Sequence, residues 1–270
     1  MACSTVFAAI MGLFISVPLE FDATYEARHC RIHGLVFQQG QCGACLAFAS
    51  VTVLGYRMCL NERIDFVPSP FRLFDCLAKS CDEGLSIDKV EGVRMRGIGD
   101  INATPPVFGW GCKFAESRTM SAWTGYFASG EMSMKTDIYM FGPSVVRIYA
   151  DPLFYRYAGY PVVYPLHHEK HKPDLESTHA VAVVGWGVEP EPHWIIQNSW
   201  GAAWGVSGRA KVPIASIDSQ HSWRNEGYFR SDLILLCGWV VISMTVSVVL
   251  LHLVQIFAKY FEIEWLYLNF

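Results

Sequence analysis

Seven of the chain's nine cysteines lie between Cys30 and Cys112, and the other two, Cys3 and Cys237, sit inside long apolar runs. In a secretory setting an odd set of seven means three bridges and one free thiol, and the bridges need an oxidising compartment. The fold is therefore stapled in its first half and carries a thiol there that the staples do not use.

The local text marks that thiol. Gln39-Gly40-Gln41-Cys42-Gly43-Ala44-Cys45 leads into Gly43 to Leu60, where Leu46, Phe48, Ala49, Val53, Leu54 and Met58 fall at helical spacing without a proline, so a buried helix is expected. Cys45 enters that helix at its positive end, which favours thiolate over thiol and makes a nucleophile. A Cys42/Cys45 redox pair, half of a zinc site and plain buried thiols are the alternatives. No second C-x-x-C completes a zinc set, and no thioredoxin-like βαβ pattern follows.

The second half reads differently. Val145 to Tyr149, Ala180 to Gly185 and Trp194 to Gln197 are short β-prone runs bounded by Gly, Pro and Asn. Helix early and sheet late predicts an α+β fold of two lobes with a cleft between them, the natural place for a site.

A thiolate nucleophile needs a base beside it and a third group that orients the base. His179 opens the strand His179-Ala180-Val181-Ala182-Val183-Val184-Gly185, and Asn198 follows in Gln197-Asn198-Ser199-Trp200-Gly201. Both lie roughly 130–150 residues beyond Cys45, an interval typical of papain-like enzymes. Asp75-Cys76 with Cys81 shortly after, and Asn198-Ser199-Trp200-Gly201-Ala202-Ala203-Trp204-Gly205, complete four motifs in order.

On these motifs the chain resembles the papain family of cysteine peptidases. Phe21-Asp22-Ala23, Cys30, Gly142-Pro143 and Gly185-Trp186-Gly187-Val188-Glu189 make it most similar to cathepsin B-like members. The resemblance implies a papain-like fold with a helical left lobe and a β-barrel-like right lobe. It makes Cys45 the nucleophile, His179 the general base and later acid, Asn198 the residue orienting the imidazole, and Gln39 an oxyanion donor with the backbone N–H of Cys45. It has Trp200 covering the His179–Asn198 hydrogen bond. It also implies bridges Cys30–Cys59, Cys42–Cys81 and Cys76–Cys112, peptide or protein substrates, cystatin-like inhibitors and no cofactor. Two positions depart from the family pattern. Leu46 stands where Trp usually follows the nucleophile, and Glu83 takes the first Gly position of the C-x-G-G stretch along the non-primed side. No paired histidines of an occluding loop are present between Cys81 and Gly142, so carboxydipeptidase activity is not implied.

Composition adds the surroundings. Lys plus Arg is 21 against 25 for Asp plus Glu, a formal charge of -4, which gives no basic excess for nucleic acid. Apolar residues make up 52% and charged ones 17%, and the excess sits in Leu233 to Ala258, which contains no Asp, Glu, Lys or Arg. A helix of that length crosses the roughly 30 Å hydrocarbon layer, so a membrane tether is expected, followed by a short tail at 259–270. Thr5 to Val17 has the length of a signal-peptide core, which makes 1–17 a candidate signal and 18–232 the peptidase domain. Asn102-Ala103-Thr104 is a glycosylation pattern that fits a body facing a lumen, lysosome, vacuole or the cell exterior. His167, His168 and His171 read as a solvated loop. The rival from another class is a catalytically impaired homologue serving as a membrane-anchored binding module.

Overall fold

The structure is a computed structural model and describes residues 16–94, 98–103, 107–109, 117–118, 123–158, 164, 178–217, 219–225, 250 and 253. Residues 1–224 and 225–270 form two separate units. The expected membrane run Leu233 to Ala258 lies, apart from Leu250 and Leu253, outside the described residues, as do most of the amino-terminal apolar run, Cys112 and the His167–His171 loop. Among the described residues no helix is long and apolar enough to cross a membrane.

In the first unit the helices are α1 (Ala23–Glu26), α2 (Cys45–Glu62), α3 (Pro70–Asp75), α4 (Ile87–Arg94) and α5 (Glu131–Phe141). The predicted helix Gly43 to Leu60 is α2, which starts two residues later and ends two residues later. Its end carries no glycine signal: Arg63 takes the left-handed conformation at φ 55°, and the N–H groups of Arg63 and Ile64 reach back to Cys59 O and Met58 O. Helix α3 starts by the usual chemistry, Ser69 as cap and Pro70 in the first turn.

The strands are β1 (Phe21–Asp22), β2 (Ile98–Gly99), β3 (Ser117–Arg118), β4 (Trp123–Ser129), β5 (Ser144–Tyr149), β6 (Thr178–Gly187), β7 (His193–Gln197), β8 (Arg209–Pro213) and β9 (Ser219–Asn225). They form a two-stranded β2–β3 pair and a seven-stranded sheet of order β4-β9-β5-β6-β7-β8, with β1 added on β6. Helix early and sheet late holds with two exceptions, since β1 brings the start of the body into the late sheet and α5 falls between β4 and β5. Gly185 is what admits it, because a Cβ there would stand 2.0 Å from Phe21 O.

Strands β5 and β6 divide the core by alternation. Val145, Ala182 and Val184 join the cluster of α2 and α3 with Phe48, Val51, Leu54, Leu73 and Phe74. Val146, Ile148, Val181 and Val183 face the other way, toward Met134, Trp186, Trp194, Ile196 and Val212. One strand pair thus serves two cores, and its end is where helix and sheet meet.

Candidate active site

Cys45 is the first residue of α2, and among the described residues it is the free cysteine. Cys30 is joined to Cys59 and Cys42 to Cys81, and Cys76 is also disulfide-bonded. No side chain caps the helix, so its first amides stay available beside the thiol. The Cys42–Cys81 bridge, and Gly43 N–H donating to Cys81 O at 2.7 Å, press the approach loop against the turn Cys81–Gly84. Only glycine fits at 43, since a Cβ would lie 2.9 Å from Cys81 O.

The expectation of a thiolate favoured outright by the helix end needs correction. Burial pushes the Cys45 thiol above its ordinary value, and the amides of Ala180, Leu46 and Cys45 itself, with the charge of Arg147, pull it only part of the way back.

His179 lies near the start of β6, one residue before the Ala180 amide that Cys45 feels. The His179 Nε2–H donates to Asn198 Oδ1 at 2.7 Å. The same oxygen accepts the Ser199 backbone N–H at 2.8 Å, which fixes the amide with its oxygen toward the ring and the ring proton on Nε2. Nδ1 is left as the acceptor. Burial lowers the His179 pKa from its ordinary value to about 4, against the opposing pull of Asn198, so the imidazole is unprotonated at all but strongly acid pH. Trp200 stacks on the imidazole at 4.5 Å, and Tyr155 stacks on Trp200 at 4.6 Å, a layered cover that keeps water from the His179–Asn198 bond.

Gln39 is locked from both ends. Its Nε2 donates to Cys42 O at 2.9 Å, and its Oε1 accepts from Ser199 Oγ at 2.5 Å. With the oxygen fixed, the second Nε2 hydrogen is free to meet a developing negative charge. Ser199 was not singled out in the sequence, although it sits within the Asn198–Gly201 motif. It joins the two halves, since Gln39 N–H also donates to Ser199 O at 2.9 Å and Gly201 N–H to Phe37 O at 2.8 Å.

Of the two departures, Leu46 packs partly buried against the α2 cluster. Glu83 is half-buried and held by Lys89 Nζ at 2.7 Å and the Lys79 N–H at 2.9 Å, which keep its carboxyl below the usual range. His29 Nε2 lies 3.6 Å from Cys30 Sγ and 3.7 Å from Cys59 Sγ, the one His/Cys/acid group of metal-binding compactness among the described residues. Both sulfurs are spent in a bridge, which leaves no thiolate to bind a metal.

This architecture has relatives. The family model described as papain family cysteine protease matches residues 17–222. A gut-specific cysteine proteinase of Caenorhabditis elegans is 28% identical over 73% of this chain and 69% of its own length. A cathepsin L-like proteinase of Phaedon cochleariae is 29% identical over 76% of this chain and 64% of its own, so the chain spans about two thirds of such relatives. Among solved structures, procathepsin B S9 from Trypanosoma congolense superposes with a TM-score of 0.68 at 21% identity, covering 80% of each chain. Digestive procathepsin L2 from Tenebrio molitor larval midgut gives 0.64 at 25% identity, covering 77% of this chain and 69% of its own.

Proposed function

The chain belongs to the papain family of cysteine proteases, and from that premise we propose that Cys45, His179, Asn198 and Gln39 carry out peptide-bond hydrolysis in it. His179 Nδ1 takes the thiol proton as Cys45 Sγ attacks the carbonyl carbon. The oxyanion forms against the Cys45 N–H and the free Gln39 N–H, and the imidazolium then protonates the leaving amine. Water, activated by the same imidazole, releases the acyl group and restores the thiol.

The observation that carries this reading is the pinned amide of Asn198. Its oxygen is held by Ser199 N–H and so can only accept from Nε2, which leaves Nδ1 as the base. The test is labelling by a thiol-directed epoxide together with turnover of a fluorogenic peptide. Labelling confined to Cys45 and turnover lost in Cys45→Ser are expected. An unlabelled Cys45 beside a labelled control protease defeats the reading and favours the binding-module rival.

The finer reading is a cathepsin B-like endopeptidase acting on proteins or peptides and open to cystatin-like inhibitors. The Cys30–Cys59 bridge supports the cathepsin B-like part, while the curated relatives include a cathepsin L-like enzyme. Residues 18–232 form the peptidase domain, tethered by 233–258 after a signal at 1–17, with the body in the secretory pathway, lysosome, vacuole or at the cell surface. The disulfides support an oxidising compartment. Alkaline carbonate extraction of membranes, which releases an untethered body and retains a spanning one, tests the tether.

A further inference from the structure

One charged side chain near the nucleophile enters the chemistry above only through its distant charge on the thiol. Arg147 interrupts the apolar run of β5, where the burial pattern from Ser144 to Tyr149 is three buried residues, then exposed Arg147, buried Ile148 and exposed Tyr149. In the β5–β6 ladder Val145 stands opposite Ala182, Arg147 opposite Ala180, and Tyr149 opposite Thr178. Directly opposed residues share a face of the sheet, with Cβ atoms about 4.5–5.5 Å apart.

That face is identified by its neighbours. Val145 and Ala182 are buried in the cluster of α2, and Ala180 packs against the same cluster. Arg147 is the next position along, where the face leaves the core and emerges at the start of α2. Ala180 adjoins His179, and its amide reaches the Cys45 thiol. Arg147 thus stands opposite the residue whose amide reaches the nucleophile, and no carboxylate among the described residues pairs with its guanidinium. An arginine beside a reactive centre, with no carboxylate partner among the described residues, has the fork geometry for a carboxylate.

We propose that Arg147 selects substrate, its guanidinium binding a carboxylate carried by the peptide within about two residues of the bond cut, the reach allowed by roughly 3.3 Å per residue of extended chain. The carboxylate comes from an Asp or Glu side chain or from a nearby free C-terminus. The inference rests on the peptidase reading for its catalytic consequence, but binding can be read without turnover.

The experiment uses the full chain and matched peptides bearing Asp, Leu or Lys at each position from three residues before to two after the cleaved bond, each as C-terminal amide and as free acid. Turnover is measured on the active chain. Binding is measured by fluorescence anisotropy on Cys45→Ser, with and without Arg147→Gln or Arg147→Glu. The quantity read is the ratio of Asp to Leu peptide within one variant, which cancels any general effect on the thiol or the fold. We expect one position at which Asp exceeds Leu by about tenfold, lost in Arg147→Gln and reversed toward Lys in Arg147→Glu. A preference for the free acid over the amide, lost in the same variants, assigns the carboxylate to the chain end instead. Ratios near one, or a preference the Arg147 variants leave intact, overturn the proposal. Charge-dependent binding without turnover of any peptide sinks the peptidase reading and leaves Arg147's role standing.

Discussion

Two buried polar clusters hold this molecule together, and they use their hydrogen bonds in opposite ways. Around Arg57, fully buried in α2, every donor is consumed. Nε donates to Pro143 O, Nη1 to Tyr126 Oη and Trp223 O, and Nη2 to Asp137 Oδ2 at 2.7 Å, Gly142 O and Ser144 Oγ. Asp137 in turn accepts from Tyr126, Gln220 and Ser144. Burial works against the Arg57 charge, but Asp137 and Tyr126 outweigh it and its pKa is raised. Around His179 the accounting is left open. Among the described residues Nδ1 of the imidazole has no donor to it, one hydrogen of Gln39 Nε2 has no acceptor, and Asn198 Nδ2 is buried without a partner. A saturated network fixes α2, α5, β5 and β9 in one arrangement, and an unsaturated one holds groups ready for a substrate.

That contrast can be broken or sharpened by substitution, from the largest effect down. Replacing Cys45 by Ala removes the bond-forming atom, and kcat/KM should fall by about 10⁴ or more, a loss of about 5.5 kcal/mol in transition-state binding, while the melting temperature barely moves. Asp137→Ala should do the reverse and cost about 3–5 kcal/mol of stability by stranding the Arg57 charge, read from urea denaturation of the wild type and variant. An Asp137→Ala chain as stable as wild type would show the Arg57 network to be ornamental. Gln39→Ala should lower kcat by about 10²–10³ with little change in stability.

Smaller effects probe the base. With His179 neutral down to about pH 4, kcat/KM for an uncharged peptide should stay level through the mildly acid range and drop about tenfold per unit below that point, because only the unprotonated ring accepts the thiol proton. A limb near the ordinary histidine value would mean that the ring is wet and its Trp200 cover open. Ser199→Ala frees the Gln39 amide to rotate and should cost about 1 kcal/mol in kcat/KM, with KM hardly altered.

The candidate site residues were legible because their chemistry is local. Cys45 at a helix entrance, His179 at a strand start and Asn198 in a short aromatic motif each have a sequence signature. Ser199 had none of its own, since a serine declares a partner only when a loop 160 residues away in sequence is brought against it. Arg147 was equally hidden, because a charge inside an apolar strand reads as a solvated edge until the opposite strand is known. The thiol's direction of shift was misread for the same reason. The helix end is visible in the sequence, but the burial that outweighs it belongs to the packed site.

By itself the sequence determined the free thiol, the helix behind it, the late strands and the family they belong to, because cysteine parity and hydrophobic period act over a few residues. Tertiary structure decided that β1 joins the late sheet, which face of β5 meets the start of α2, and which buried donors are spent and which remain. Those outcomes depend on pairs of atoms distant in the chain, and hydrogen-bond saturation is a property of the packed whole that no local pattern encodes.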